Sequence, residues 1–93
     1  MIDETYNVRR YIAEYSETTD ELLADYDLEA FNLKQFQAEF GEKDDELMFD
    51  CYPVTASKVD FIERYIGKKI DWDFANKAYF LEVCAANSDY GKA

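Results

Sequence analysis

Carboxylates are the most abundant reactive groups in this chain: 21 of its 93 residues are aspartate or glutamate. Two carboxylates held at a fixed separation run acid–base chemistry, as in glycosidases. At this density some pair always lies close, so proximity alone points to no reaction. The other catalytic residue types are scarce. Histidine is absent, which removes the commonest general base, the commonest zinc ligand and the usual serine or cysteine triads. Cys51 and Cys84 sit in no metal or redox spacing and have no basic sequence neighbours that would favour a thiolate. Flanked by core-like residues, they read as reduced, buried thiols. The three glycines form no phosphate-cradling loop. Asp71, Asp73 and Glu82 match three ligand positions of a calcium loop, but Ala75 and Asn76 stand where that loop needs a ligand and a glycine. The run Asp44-Asp45-Glu46 reads as solvated loop charge. The expectation is a protein that is not an enzyme, with no catalytic residues, no cofactor and no metal.

The charge is informative through its placement. The formal net charge is −11. Residues 1–13 sum to zero, and residues 51–93 hold six acids and six bases. Residues 14–50 hold thirteen acids against Lys34 and Lys43, so one segment carries the whole excess. Such a field repels nucleic acid and anionic membranes. It attracts a basic protein surface and speeds encounter with it. No apolar run is long enough to span a bilayer. Met-Ile-Asp-Glu-Thr at the start has neither the basic stretch nor the apolar segment of a secretory signal. The expected location is the cytoplasm.

Apolar residues make up 48% of the chain and aromatic ones 17%, enough for one folded domain over residues 1–93. Residues 5–15 are rich in β-branched and aromatic types on both parities, as in a central strand. The polar stretch 16–20 reads as a turn. Beyond it, Leu22, Ala24, Tyr26, Leu28 and Ala30 alternate with Leu23, Asp25, Asp27 and Glu29, the pattern of a half-buried strand. The two strands form an antiparallel hairpin whose solvent side shows a row of three carboxylates.

Asn32 followed by Gln35 has the form of a capping box, and Gly41 supplies a left-handed stop, which predicts a helix over 33–40. Residues 41–54 read as a loop. Thr55 as N-cap, an apolar face of Val59, Ile62 and Ile66, and Gly67 as stop predict a second helix over 56–66. Residues 68–77 connect to a final strand over 78–86, and 87–93 look frayed. Trp72 and Tyr26 read as core. The expected architecture is α+β: a three-stranded antiparallel sheet with two helices on one face, in the order β-β-α-α-β. The last strand pairs with the first, placing the first in the middle.

Two stretches resemble a known family. Leu47 to Thr55 (LMFDCYPVT) resembles its Asp-x-Tyr-Pro-(Ile/Val)-Thr pattern before a helix. Ile70 to Cys84, with Asp71-Trp72-Asp73 and Tyr79-Phe80-Leu81-Glu82-Val83-Cys84, resembles its C-terminal apolar strand. The family consists of small acidic bacterial proteins that look like immunity proteins encoded beside polymorphic toxins, including contact-dependent growth-inhibition systems. The resemblance covers the C-terminal half and brings no catalytic residues. Pro53 would fix the chain entering the second helix. Asp50 and Glu82, carboxylates within apolar motifs, would need partners such as Arg9, Arg10 or Arg64.

The resemblance and the charge together imply a protein that binds and neutralises a cognate toxin domain with a basic surface, most plausibly a nuclease. The residues expected to make that contact are Asp25, Asp27 and Glu29, extended by Asp20, Glu21, Asp44, Asp45 and Glu46. Leu23 would be an apolar anchor among them. The alternative is an acidic adaptor or regulatory module that binds a basic protein without inhibiting it. Neither involves nucleic acid or membrane as the direct partner.

Overall fold

The segment around Arg9, Arg10 and Tyr11 forms the strand β2 (Val8–Ser16), which lies inside the sheet with partners on both edges. The structure is a computed structural model and describes residues 2–3 and 6–85. The expected frayed stretch, 87–93, lies outside the described residues. Along one edge of β2, β5 (Lys77–Ala85) runs antiparallel from Val8↔Ala85 to Ser16↔Lys77. Two strands share the other edge: β1 (Ile2–Asp3) opposite Val8 and Arg9, and β3 (Leu22–Asp27) opposite Tyr11 to Tyr15. β4 (Tyr52–Pro53) extends the sheet beyond β5.

The α+β class and the antiparallel pairing of the last strand with the first long one are as expected. The three-stranded sheet and the order β-β-α-α-β are not, because the sheet has five strands among the described residues. β1 and β4 are two residues each, too short to show any period in a sequence. Pro53 lies on the outermost strand, where its missing N–H costs no ladder bond.

Register sorts the side chains onto two faces. Arg10, Ile12 and Glu14 stand opposite Val83, Leu81 and Tyr79. The helices α1 (Leu33–Phe40) and α2 (Val59–Glu63) pack on that face. Ile12, Leu28, Phe36, Phe61, Ile62, Tyr79 and Leu81 form the core between the layers. The Phe36 ring lies 4.8 Å from both Phe61 and Tyr65. Each such side chain contributes about 1.5–3 kcal/mol through burial, which is how so small a sheet holds together. Trp72 is half-buried, stacks on Phe74 and meets the Tyr79 ring at a tilt at the rim of this core.

The Asn32 side-chain oxygen accepts the Gln35 N–H at 3.1 Å, and Gly41 closes α1 at φ 70°, as the sequence predicts. The second helix is shorter than expected. A 3-10 turn, Ala56–Lys58, leads into α2, which ends at Glu63. Thr55 makes no side-chain cap bond; its hydroxyl meets that of Ser57 at 2.9 Å. Ile66 leaves the helix to bridge Leu28, and Glu29 N–H donates to the Tyr65 carbonyl at 2.6 Å. Gly67 is not left-handed. Its Cα lies against the Glu29 side chain, where a Cβ would collide.

One irregularity reassigns Leu22. The register slips between Glu14 and Tyr15, so Tyr15 faces Leu22 while Glu14 faces Ala24. This bulge at Leu23 turns Leu22 from the core side toward the face of Tyr15. Leu22 is accordingly 38% exposed.

Candidate functional site

The sheet face opposite the helices carries Arg9, Tyr11, Ala13 and Tyr15 from β2, Asp25 and Asp27 from β3, and Phe80, Glu82 and Cys84 from β5. Its two halves differ in charge balance. Toward the start of β2, Arg9 lies over the Tyr11 ring, 4.4 Å from its centroid. The same guanidinium binds Asp25 at 2.8 Å and Asp27 at 2.5 Å. Burial opposes the Arg9 charge, but these two carboxylates outweigh it and hold its pKa above the ordinary value. The expected solvent row of Asp25, Asp27 and Glu29 is therefore already largely occupied. Glu29 lies against Gly67 and, with Asp25, Asp27 and Lys68, lines a depression of about 400 Å³.

The other half centres on Glu82. Its carboxylate accepts the Tyr11 hydroxyl at 3.2 Å, the Tyr15 hydroxyl at 2.8 Å and the Cys51 thiol at 3.4 Å. These are not the arginine partners expected from the sequence. Tyr11 stands directly across the ladder from Glu82, and neutral donors satisfy the carboxylate without cancelling its charge. Desolvation, then the hydrogen bond and charge of Glu82, push the Cys51 thiol up to about 11. Cys51 is exposed and Cys84 half-buried, and both are free thiols, so the expected burial fails for Cys51. A protonated thiol that donates to a carboxylate is a poor nucleophile.

Tyr15 and Phe80 meet edge to face at 5.8 Å. With Glu17, Asp20, Cys51 and Glu82 they line a cleft of about 320 Å³. The hairpin tip is held in place beside it. Ser16 N–H donates to the Glu21 carbonyl at 2.9 Å, and Glu17 N–H to Asn76 at 3.0 Å. The Ser16 hydroxyl accepts the N–H groups of Thr18 and Thr19, and Asp20 closes the turn at φ 61°. Beyond Phe80, a mostly apolar groove of about 360 Å³ runs past Pro53, Val54 and Phe74.

The sequence-predicted contact residues do not form one patch. Asp20 and Glu21 lie at the hairpin tip, and Leu23 is 49% exposed beside it. Asp44, Asp45 and Glu46 belong to a loop fastened near the other end of β2, where Arg10 donates to the carbonyls of Leu47 and Met48 at 3.0 and 2.8 Å. Arg10 and Ser16 are six strand residues apart, roughly 20 Å. Glu46 also bends back to accept the Met48 N–H at 2.9 Å. Glu17, Phe80 and Tyr15 are outside the sequence-predicted contact set. Tyr15 and Phe80 share the outward parity of their strands, which is visible once the pairing of β2 with β5 is known.

The calcium-like spacing has no counterpart in space. Asp73 accepts from Asn76, and Glu82 lies on the sheet face just described. No group of three or more Cys, Asp or Glu is placed to hold a metal ion among the described residues. No helix among them is long and apolar enough to cross a membrane.

No curated protein matches the chain. Residues 9–82, which span the sheet from β2 to β5 and both helices, match the family described as a domain of unknown function, DUF7683. The chain belongs to the DUF7683 family.

Proposed function

We propose that this protein is a cytoplasmic immunity protein that binds a cognate bacterial toxin domain, a nuclease in the leading reading, and neutralises it through its acidic surface. The observation that carries this reading is the acidic excess left over after folding. Of the thirteen acids in residues 14–50, Glu14, Asp25, Asp27 and Glu39 have ion-pair partners. The other nine have no counter-ion among the described residues. A fold seldom keeps so much like charge without counter-ions unless the charge serves solubility or meets a partner. A nuclease holds phosphates with lysine and arginine, so rigidly placed carboxylates compete for the same groups. They also speed encounter at low salt.

The test is co-expression. The toxin domain encoded by the adjacent reading frame is produced in cells with and without this protein, and growth is followed. Protection, together with a purified complex whose association slows as salt rises, supports the reading. A toxin domain that still kills and forms no complex refutes it.

A further inference from the structure

We infer that the cleft bordered by the Tyr15–Phe80 ring pair and by Glu17, Asp20 and Glu82 receives a lysine or arginine side chain from the basic partner, and that this contact centres on the hairpin tip and the outward face of β5. The inference rests on the toxin-binding reading for the partner's identity, but the cleft's own chemistry argues for its occupant.

The molecule contains a filled version of the same arrangement. On the same sheet face, an aromatic ring and two carboxylates surround a guanidinium: Tyr11, Asp25 and Asp27 around Arg9. Farther along β2 the same ingredients recur around the cleft. Tyr15 and Phe80 supply the rings, and Glu17, Asp20 and Glu82 supply the carboxylates. No lysine or arginine among the described residues lines this second site. None of its three carboxylates is ion-paired among the described residues. A cation entering it gains ring faces and charge-assisted hydrogen bonds together.

Glu82 is the least adaptable of the three, because Tyr11 and Tyr15 fix its oxygens. A carboxylate held in place by neutral donors keeps its charge and loses little freedom on binding. The adjoining groove past Phe80, Pro53 and Phe74 is mostly apolar, and the Lys77 in its wall is paired with Glu14 at 3.4 Å. The groove suits the aliphatic stem of a long basic side chain or an apolar neighbour on the partner. Occupancy here differs from the contact expected at Asp25 and Asp27, which Arg9 already claims.

The experiment is an amide chemical-shift titration of the whole protein with acetyl-Gly-Arg-Gly-amide, with acetyl-Gly-Ala-Gly-amide as control. Saturable shifts confined to residues around Tyr15, Glu17, Ala78, Phe80 and Glu82, seen only with the arginine peptide, are expected. Glu17→Gln with Asp20→Asn should weaken that binding at least about fivefold, and both positions are exposed, so folding is retained. Shifts spread along the whole acidic segment, or centred on Asp25 and Asp27, overturn the inference. The adjacent-frame toxin domain is then titrated. Glu17→Lys with Asp20→Lys should weaken its binding at least about tenfold, and Asp44→Lys with Asp45→Lys less than about threefold. Equal losses overturn the inference and leave the toxin reading intact. An arginine peptide seated in the cleft with no toxin complex removes the toxin reading and leaves the cleft as a site for a basic side chain.

Discussion

Replacing Arg10 by methionine should cost the fold about 3 kcal/mol. Arg10 is 1% exposed, and its guanidinium lies 4.0 Å from the centroid of Phe31 and 5.3 Å from that of Phe49. It donates to the Met48 carbonyl at 2.8 Å and the Leu47 carbonyl at 3.0 Å, fastening the 41–50 loop to the sheet. Methionine keeps the apolar stem and removes every donor. Two carbonyls then lose their charged partner, at about 1–3 kcal/mol each if water does not reach them. The ring contacts add about 1 kcal/mol. Apolar burial of the thioether returns about 1 kcal/mol. The net loss should lower the melting temperature by roughly 12–24 °C in a domain of this size. Urea unfolding followed by circular dichroism measures it. Arg9→Met is the control and should cost no more than about 1 kcal/mol, because its ion pairs are partly solvated. A loss below about 1 kcal/mol for Arg10→Met would show that the loop holds its place without the arginine, and the account of this buried cation would fail.

Three further outcomes follow from the same geometry. Glu82→Gln removes the charge that helps raise the Cys51 thiol to about 11, so alkylation of Cys51 by iodoacetamide at pH 8.5 should accelerate. The ceiling is about a hundredfold, set by two pKa units; peptide mapping reads the rate, and an unchanged rate would remove Glu82 as a cause. Burial, then Glu14, raises the Tyr26 hydroxyl to about 12 from 10.0. The folded state thus keeps a proton that the unfolded state gives up first, so stability present below pH 10 should fall as pH rises from about 10 through 12. Urea midpoints at pH 8, 10 and 11 should show this fall, and Tyr26→Phe should make it shallower while the raised Tyr52, Tyr79 and Cys51 keep the remainder; a slope unchanged in Tyr26→Phe would count against the half-buried hydroxyl. Gly41→Ala should cost about 1 kcal/mol, because φ is 70° there despite open space around it. Gly67→Ala should cost less, because the exposed Glu29 side chain swings aside; the reverse order in thermal melts would refute both assignments.

The legible parts of this fold were those written in a local period or a cap. β2, β3 and β5 announce themselves by β-forming types and alternation, and α1 by Asn32 and Gly41 at its ends. Two kinds of feature escaped. Two-residue strands such as Tyr52–Pro53 have no period, and only the neighbouring strand makes them strands. The bulge at Leu23 breaks a parity that looks unbroken in the sequence, because the partner's register decides which side Leu22 takes. The helical spacing after Thr55 runs past the end of α2 for a similar reason. Ile66 continues the helical spacing but is drawn into a bridge with Leu28. The acidic excess was readable from composition, yet its distribution was not. Arg9 is close to Asp25 and Asp27 only once β2 and β3 pair, and Glu82 joins Tyr11 and Tyr15 only once β5 lies beside β2.

The ladder between β2 and β5 joins residues 8–16 to residues 77–85. A ribosome therefore delivers the two halves of the longest pairing in this sheet far apart in time. Until the second half emerges, the β2–β3 hairpin must wait with a row of unmatched amides along one side, a surface on which another growing strand could settle. The repulsion among carboxylates in residues 14–50 is already present in that waiting chain. That repulsion sets neighbouring hairpins against one another during synthesis and so guards the polypeptide before it has finished folding.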